Sequence, residues 1–480
     1  MKKDEYKKLD RLFNPRSVAV IGDRGKMWLR NLSSFKGELY SVQTDEREYS
    51  SIEAMGIRHY YNIIDIPDEI DYVIVSVPSA ATPQIIEDCI RKKVAGVMLF
   101  TAGFAETITE EGIKLQEIIT NMAREADLKI IGPNCMGIFN PKIGLRHNVD
   151  QYLGDSGPVG FISQSGTFAG LFSLAGAVHG IKISKSVSYG NAVVLDSTDY
   201  LEYFAEDDET EIIGMYIEWV RDGRRLYECL RKTIPKKPIL IWKGGQTEEG
   251  VRATISHTAA IAQSGIIWDT LIHQSGALKV DSLDEIIDVT KALIYARPTS
   301  GNRVALIAMT GGPSVGMTDA FVKAGFEVPR LTDKSYREFA LFLDRVGGSY
   351  RNPLDIISNL NYSMETLLRI LNILDSDTNI DSVVLDLSSM AIMRKMVESQ
   401  ESSGNLKRLV DTLTDFKEKS AKPFMAVINP MHREGLASEL RDSLTVKGIV
   451  SYPNYERAAK TLMKLVGYYR FVLNIETNNQ

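Results

Sequence analysis

Apolar residues along this chain fall into short runs, rich in β-branched residues, that end in glycine, serine or proline. Ser17–Gly22 (SVAVIG), Asp71–Pro78 (DYVIVSVP), Val94–Phe100 and Leu128–Pro133 are the first four. They are too short for buried helices and apolar on both faces, which predicts strands covered on each side. Amphipathic segments lie between them, including Thr82–Lys92 and Thr109–Ala126. Strand and helix in alternation predict a parallel sheet with helices on both faces, and ligands at the loops following its strands.

The same grammar recurs twice. Val159–Ile162 predicts a strand, after which Ser163-Gln164-Ser165-Gly166 turns into a helical segment; Ile212–Glu218 and Pro238–Trp242 are further strands, and Asp281–Ala296 a closing helix. After a linker at Arg297–Gly301, Arg303–Ala308 predicts a strand, Met309–Gly316 a glycine-rich turn and Met317–Ala324 a helix. Ser382–Leu387 and Pro423–Ile428 complete a third set of buried strands, Arg394–Asn405 reads as a solvated helix and loop, and Glu476–Gln480 as a polar tail. The expected domains are 1–150, 157–296 and 302–480, the last two related in build.

A length of 480 residues suits three domains, and 44% hydrophobic with 25% charged residues suits a water-soluble chain. A formal charge of -6 gives no general attraction to nucleic acid or anionic membranes. The basic residues Arg221, Arg224, Arg225, Arg231 and Lys232 are spaced as on a solvated helix, without interleaved aromatics, so no nucleic-acid partner is expected. No apolar stretch approaches the roughly 20 residues that span a bilayer. Cys89, Cys135 and Cys229 are dispersed, and neither they nor the histidines form a compact ligand set. No metal site and a reducing, cytoplasmic setting are expected.

Candidate chemistry centres on Ala253–Ala260 (ATISHTAA), which sets His257 among small and hydroxyl residues just after Lys243-Gly244-Gly245-Gln246. An imidazole nitrogen is nucleophilic near neutral pH and can carry a phosphoryl group between two reactions; a surface histidine in a turn would look the same in isolation. Ser165-Gly166 and Gly311-Gly312 suit phosphate cradles, because small residues at a helix start leave backbone N–H groups open to an anion. Tight turns use the same residues.

In order along the chain come Asn14–Gly22 (NPRSVAVIG), Ala102-Gly103-Phe104, Gly132–Gly137 (GPNCMG), Phe161–Gly166 (FISQSG), Ser188-Tyr189-Gly190-Asn191, Ser256-His257-Thr258 and Thr310–Pro313 (TGGP). This series resembles the alpha subunits of NDP-forming acyl-CoA synthetases, especially archaeal ADP-forming acetate/acyl-CoA ligases of the succinyl-CoA synthetase superfamily. The resemblance implies an N-terminal Rossmann-like CoA-binding domain followed by two flavodoxin-like ligase domains. It implies an activity that reversibly couples acyl-CoA cleavage to ATP formation from ADP and phosphate, through acyl phosphate and phosphohistidine. His257 matches the phosphorylated residue, and Glu218, ending an apolar strand, matches the carboxylate that orients it. CoA contacts are implied at Gly22, Val77, Pro78, Ala102, Gly103 and Asn134. No ATP-grasp portion and no GxxxxGK[ST] loop follow. The resemblance therefore assigns ADP/ATP and Mg²⁺ mainly to a separate ATP-grasp beta subunit, in an alpha2-beta2 assembly acting on a small acyl substrate and phosphate.

The chain departs from the family pattern in three places. Asp23-Arg24-Gly25-Lys26-Met27-Trp28 replaces a longer Gly-Ala-Ser segment, putting Asp23 near the expected CoA phosphates with Arg24 and Lys26 to offset it. Val42-Gln43-Thr44 replaces Val-Asn-Pro, and Thr258–Gln263 (TAAIAQ) replaces a glycine-containing run. These departures support an alternative, a noncatalytic CoA-responsive or assembly subunit that keeps the ligase fold.

Overall fold

The computed structural model describes all residues except 24–25, 253–264, 344–347, 357–362, 389–401, 431–432 and 479–480. Its chain forms two compact units, residues 1–177 with 181–283 and residues 178–180 with 284–480.

The first unit holds two sheets. Strands β1 (Ser17–Gly22), β2 (Glu38–Val42), β3 (Arg58–Tyr60), β4 (Tyr72–Ser76), β5 (Gly96–Leu99) and β6 (Lys129–Ile131) form an all-parallel sheet in the order β3-β2-β1-β4-β5-β6. That order is the dinucleotide-fold order, with its reversal between β1 and β4. The second sheet contains β7 (Gly137–Phe139), β8 (Val159–Ser163), β9 (Ile183–Ser188), β10 (Ile212–Ile217), β11 (Ile239–Lys243) and β12 (Leu278–Val280), in the order β12-β11-β10-β8-β9-β7. Only β7 runs antiparallel, against β9. Setting β7 aside, the remaining five have the flavodoxin order, reversing between β8 and β10.

Both sheets are filled from alternate strand faces. Ala19, Ile21, Val73, Val75, Val97 and Leu99 share one buried cluster with Ile119 and Ala123 of the helix Glu110–Glu125. In the second sheet Phe161 stacks on Phe172 of the helix Gly166–Val178, ring centres 4.0 Å apart. Each of the valine, leucine, isoleucine and phenylalanine side chains contributes about 1.5–3 kcal/mol on burial. The two sheets are tied together at several points. Phe13 stacks on Tyr203 at 4.3 Å, and the buried Asn140 donates from Nδ2 to the Phe13 carbonyl at 2.9 Å. On β9 the buried Lys185 ammonium reaches Asp207 at 2.9 Å and Glu209 at 2.7 Å.

The second unit contains β13 (Val304–Ala308), β14 (Leu354–Asp355), β15 (Ser382–Asp386), β16 (Phe424–Val427) and β17 (Val450–Tyr452), all parallel in the order β14-β13-β15-β16-β17. This is the flavodoxin order again, so the kinship expected between the second and third blocks extends to strand sequence. The fold class is the expected one: a Rossmann-like sheet, then two flavodoxin-like sheets.

Two local expectations change, one at the start of a helix and one at the polar tail. Gly311 and Gly312 lie not in a turn but in the first turn of a helix spanning Gly311–Lys323, six residues ahead of the expected start. Neither has a positive φ, and Thr310 at φ -152 makes the break with β13. The helix Leu283–Tyr295 groups from Asp284 onward with the second unit. Its Asp288 accepts from Arg457 at 2.6 and 3.0 Å, and its Lys291 donates to the Ser451 carbonyl at 2.7 Å. The tail at 476–478 continues the helix Tyr455–Asn478. Of Arg394–Asn405, residues 394–401 lie outside the described residues; Ser402 starts the helix Ser402–Lys419.

Replacing Lys185 by Met leaves Asp207, 5% exposed, without its cation. Urea denaturation should show Lys185→Met destabilised by about 3 kcal/mol. A loss under about 1 kcal/mol would mean the pair is solvated.

Candidate active site

Parallel strands end together, so residues distant in sequence line one edge. On the first sheet Gly22 ends β1, Val77 and Pro78 follow β4, Ala102 and Gly103 follow β5, and Asn134 follows β6. All six expected CoA contacts thus lie along one carboxyl edge. Gly22 has φ +89, and a Cβ there would fall 2.5 Å from the Ser76 carbonyl oxygen. Thr101 Oγ1 donates to the Val77 carbonyl at 2.7 Å, and the Asn134 N–H to the Thr101 carbonyl at 3.0 Å. Gly103 donates its N–H to Glu106 Oε1 at 2.6 Å.

The unusual residues of this edge have local partners. The Asp23 carboxylate accepts the Trp28 and Leu29 N–H groups at 3.1 and 3.0 Å. Burial raises its pKa, with those bonds opposing. Lys26 is paired with Glu48 at 2.6 Å; Arg24 lies outside the described residues. Gln43, where the family pattern has asparagine, donates from Nε2 to the Gly22 carbonyl at 2.7 Å. The charge at Asp23 is therefore absorbed by backbone N–H groups rather than by Lys26.

On the second sheet the register sets Tyr216 of β10 beside Ser163 of β8, and Ile217 beside Lys243 of β11. Gln164, Ser165 and Gly166 follow β8 directly, and Glu218 follows β10, on either side of the strand-order reversal. Ser165 Oγ accepts the Phe168 N–H at 3.3 Å, and Gly166 opens the helix Gly166–Val178. A Cβ on Gly166 would lie 2.8 Å from Met136 Cγ, so the helix start is crowded by the chain leaving the first sheet.

Glu218 is buried, 8% exposed, and accepts from the Tyr216 hydroxyl at 3.3 Å. Tyr216, Phe168 and Trp242 pack beneath it with ring centres 4.4–4.9 Å apart. Next to it the Lys243 ammonium, also buried, donates to the Gly244 carbonyl and lies 5.4 Å from the Trp268 ring centre. Burial pushes its pKa from 10.5 down to about 8, with Glu218 opposing. Gly244 is required by packing: a Cβ would sit 2.5 Å from the Tyr216 hydroxyl and 3.3 Å from Glu218 Cγ.

His257 lies outside the described residues, in the interval between Arg252 and Gly265. Ser165, Gly166 and Glu218 come together on one edge of the first unit; Gly311 and Gly312 belong to the second, beside β14, where a Cβ on Gly311 would lie 3.5 Å from Asp355 Oδ2. Sequence reasoning missed Gln164 and Tyr216 and assigned no role to Lys243. Gln164 sat within the quoted FISQSG run, but nothing in a linear sequence marks a buried amide. Among the described residues no group of three or more His, Cys, Asp and Glu could hold a metal ion, and no helix is long and apolar enough to cross a membrane.

Comparison with known proteins gives a consistent result. Residues 16–141 match a family described as CoA binding domain, and residues 156–293 one described as succinyl-CoA ligase like flavodoxin domain. The chain is 32% identical over 465 residues to the alpha subunit of acetate–CoA ligase [ADP-forming] II of Pyrococcus furiosus, covering 95% of this chain and 97% of the relative. It is 33% identical over 391 residues to acetate–CoA ligase [ADP-forming] I of Archaeoglobus fulgidus, covering 80% of this chain but 56% of that relative. The dinucleotide forming acetyl-coenzyme A synthetase 1 of Ca. Korarchaeum cryptofilum, solved with phosphate and ADP, superposes with a TM-score of 0.83 at 29% identity, covering 98% of both chains.

The low Lys243 pKa carries a sign. Between pH 8 and 10.5 the unfolded chain holds this proton and the folded chain does not, so wild-type stability rises there. Lys243→Met should accordingly melt higher than wild type below pH 8, and the gap should shrink toward pH 10.5. Thermal melts across that range check it; a constant gap would mean the amine titrates normally.

Proposed function

The chain belongs to the NDP-forming acyl-CoA synthetase family, on its alpha-subunit side, and from that premise we propose that it is the alpha subunit of an ADP-forming acyl-CoA synthetase. In this reading residues 1–150 bind CoA, 157–296 carry the phosphohistidine, and 302–480 form the second ligase domain. What carries the reading is the gathering of Glu218, Lys243 and Ser165-Gly166 on one sheet edge, within the segment that matches the succinyl-CoA ligase like domain.

The reaction proceeds in three transfers. A phosphate oxygen attacks the acyl-CoA carbonyl; the C–S bond breaks, CoA leaves as the thiol and acyl phosphate forms. A nitrogen of His257 then attacks phosphorus, and the P–O bond to the acyl group breaks to release the carboxylate. Finally a terminal oxygen of ADP attacks that phosphorus, the P–N bond breaks, and ATP forms as the His257 imidazole is restored. Glu218 accepts from the other imidazole nitrogen, holding the ring and favouring its cationic character as phosphorus is transferred. N–H groups at the start of the helix Gly166–Val178 are the proposed donors to the transferring oxygens, and Gly311-Gly312 is a proposed phosphate cradle within the second unit. The edge bearing Gly22, Val77, Pro78, Ala102, Gly103 and Asn134 takes CoA.

The nucleotide belongs mainly to a partner. The naming of relatives as alpha subunits implies one, and the Archaeoglobus relative extends well beyond the part this chain matches. We assign ADP/ATP and Mg²⁺, which neutralises phosphate charge when bound, to an ATP-grasp beta subunit in an alpha2-beta2 assembly. The thiols at Cys89, Cys135 and Cys229 are unpaired, which suits a cytoplasmic setting. A noncatalytic role is not favoured: the relatives that match over nearly the whole chain are named as ligases.

The test is phosphoryl labelling of the native complex with γ-labelled ATP and Mg²⁺. Wild type should take up acid-labile, base-stable label, His257→Ala none, and Glu218→Gln should label about 100-fold more slowly. Equal labelling of His257→Ala, or none in a wild-type complex that binds ATP, overturns the assignment.

A further inference from the structure

Gln164 combines two observations that the reaction above does not use. Its Oε1 accepts the N–H groups of both Glu218 and Trp219, at 2.9 and 3.2 Å. Only an oxygen can meet two donors, so the orientation of the amide is settled by its partners and Nε2 must face away from that backbone. Nε2 is buried, in a side chain only 2% exposed, and has no hydrogen-bond partner among the described residues. An unmet buried donor is destabilising, because it has given up its water without gaining an acceptor. Such a cost is tolerated where a ligand supplies the acceptor.

The position is equally informative. Gln164 follows β8 at the strand-order reversal, where ligands of such sheets bind. Its own N–H donates to the Tyr216 carbonyl at 3.0 Å, which fixes the residue to the end of β10. Two residues later the 13-residue helix Gly166–Val178 begins, with the positive end of its dipole at the same edge. An anion there faces the negative Glu218 and gains from neutral donors close at hand, as well as from the buried Lys243 ammonium beside that carboxylate.

We infer that the Gln164 carboxamide donates from Nε2 to an oxygen of phosphate, or of a transferring phosphoryl group, at the start of the helix Gly166–Val178, while its Oε1 positions Glu218. The inference rests on reading this edge as the phosphoryl-transfer site. Gln164 is a binding and positioning residue: one atom meets the ligand and the other holds the backbone of the carboxylate that acts on the histidine. A side chain serving both needs couples the placement of Glu218 to the arrival of phosphate.

Replacement by glutamate separates the two roles. Gln164→Glu keeps an oxygen for the Glu218 and Trp219 N–H groups but loses the donor; Gln164→Met loses both. The experiment is equilibrium dialysis of radiolabelled orthophosphate against the complete native complex, which does not require His257 to be phosphorylated. Each variant is compared with wild type at the same pH, so that the titration of phosphate itself cancels. Near pH 8 Gln164→Glu should bind phosphate at least 10-fold more weakly than wild type while remaining folded, its new buried carboxylate lowering the melting temperature. Toward about pH 5.5 its carboxyl protonates, an O–H replaces the lost donor, and affinity should recover. Gln164→Met should stay weak at every pH. Wild-type affinity in Gln164→Glu near pH 8 overturns the inference, as does wild-type affinity in a folded Gln164→Met or a wild type that binds no phosphate. Phosphate binding that depends on Gln164 in a complex with no label at His257 would keep this inference while the phosphohistidine mechanism fails.

Discussion

A parallel sheet places every strand's carboxyl end on one edge, and the proposed chemistry of this protein depends on that constraint. Because β8, β10 and β11 all run the same way, Gln164, Glu218 and Lys243 become neighbours although long crossovers separate them in sequence. The same rule lines Gly22, Val77, Gly103 and Asn134 along the first sheet. The order of strands reverses at β1/β4, at β8/β10 and at β13/β15, the points at which sheets of this kind take their ligands.

Burial at the second of these reversals sets the electrostatics. Glu218 and Lys243 are both removed from water, above an aromatic layer of Phe168, Tyr216 and Trp242. In such surroundings a charge interacts strongly with its neighbours and has few ways of being screened. The tyrosine hydroxyl on Glu218 and the lysine ammonium near it are therefore worth more than the same pair on the surface. The lowered lysine pKa shows the penalty: desolvation outweighs the attraction of one carboxylate. Gly244 keeps the cluster tight, since any side chain there would drive into Tyr216 and Glu218.

The first reversal uses its unusual residues differently. Asp23 has φ +55 and turns its carboxylate onto the N–H groups of Trp28 and Leu29, while Lys26 is held by Glu48. Gln43 reaches back to the carbonyl of Gly22. The departures at Asp23, Lys26 and Gln43 thus form a connected local structure at the end of β1 and β2, built from short hydrogen bonds. That gives a physical account of how an acid is accommodated at this edge with no cation bound to it directly among the described residues.

Much of the architecture was legible from the sequence, because apolar runs of strand length report two-sided burial and the segments between them report helices. Ser17–Gly22 and Thr82–Lys92 have the expected limits, and the repeat of strand and small-residue helix start at Phe161–Gly166 and Leu306–Gly312 reflects a shared strand order. Helix starts and ends were less legible: Gly311 and Gly312 look like turn residues but sit in a helical first turn, where the N–H groups have no intrahelical acceptor. The order of residues along the chain determined the fold class, the family resemblance and the naming of Glu218, since those depend on local pattern and motif order. Only the tertiary structure decided that Gln164 anchors the Glu218 backbone, that Lys243 is buried beside it, and that Asp23 is satisfied by its own loop. Those facts depend on which strands lie side by side and in what register, and on how much water is excluded between them; no local run of residues encodes either.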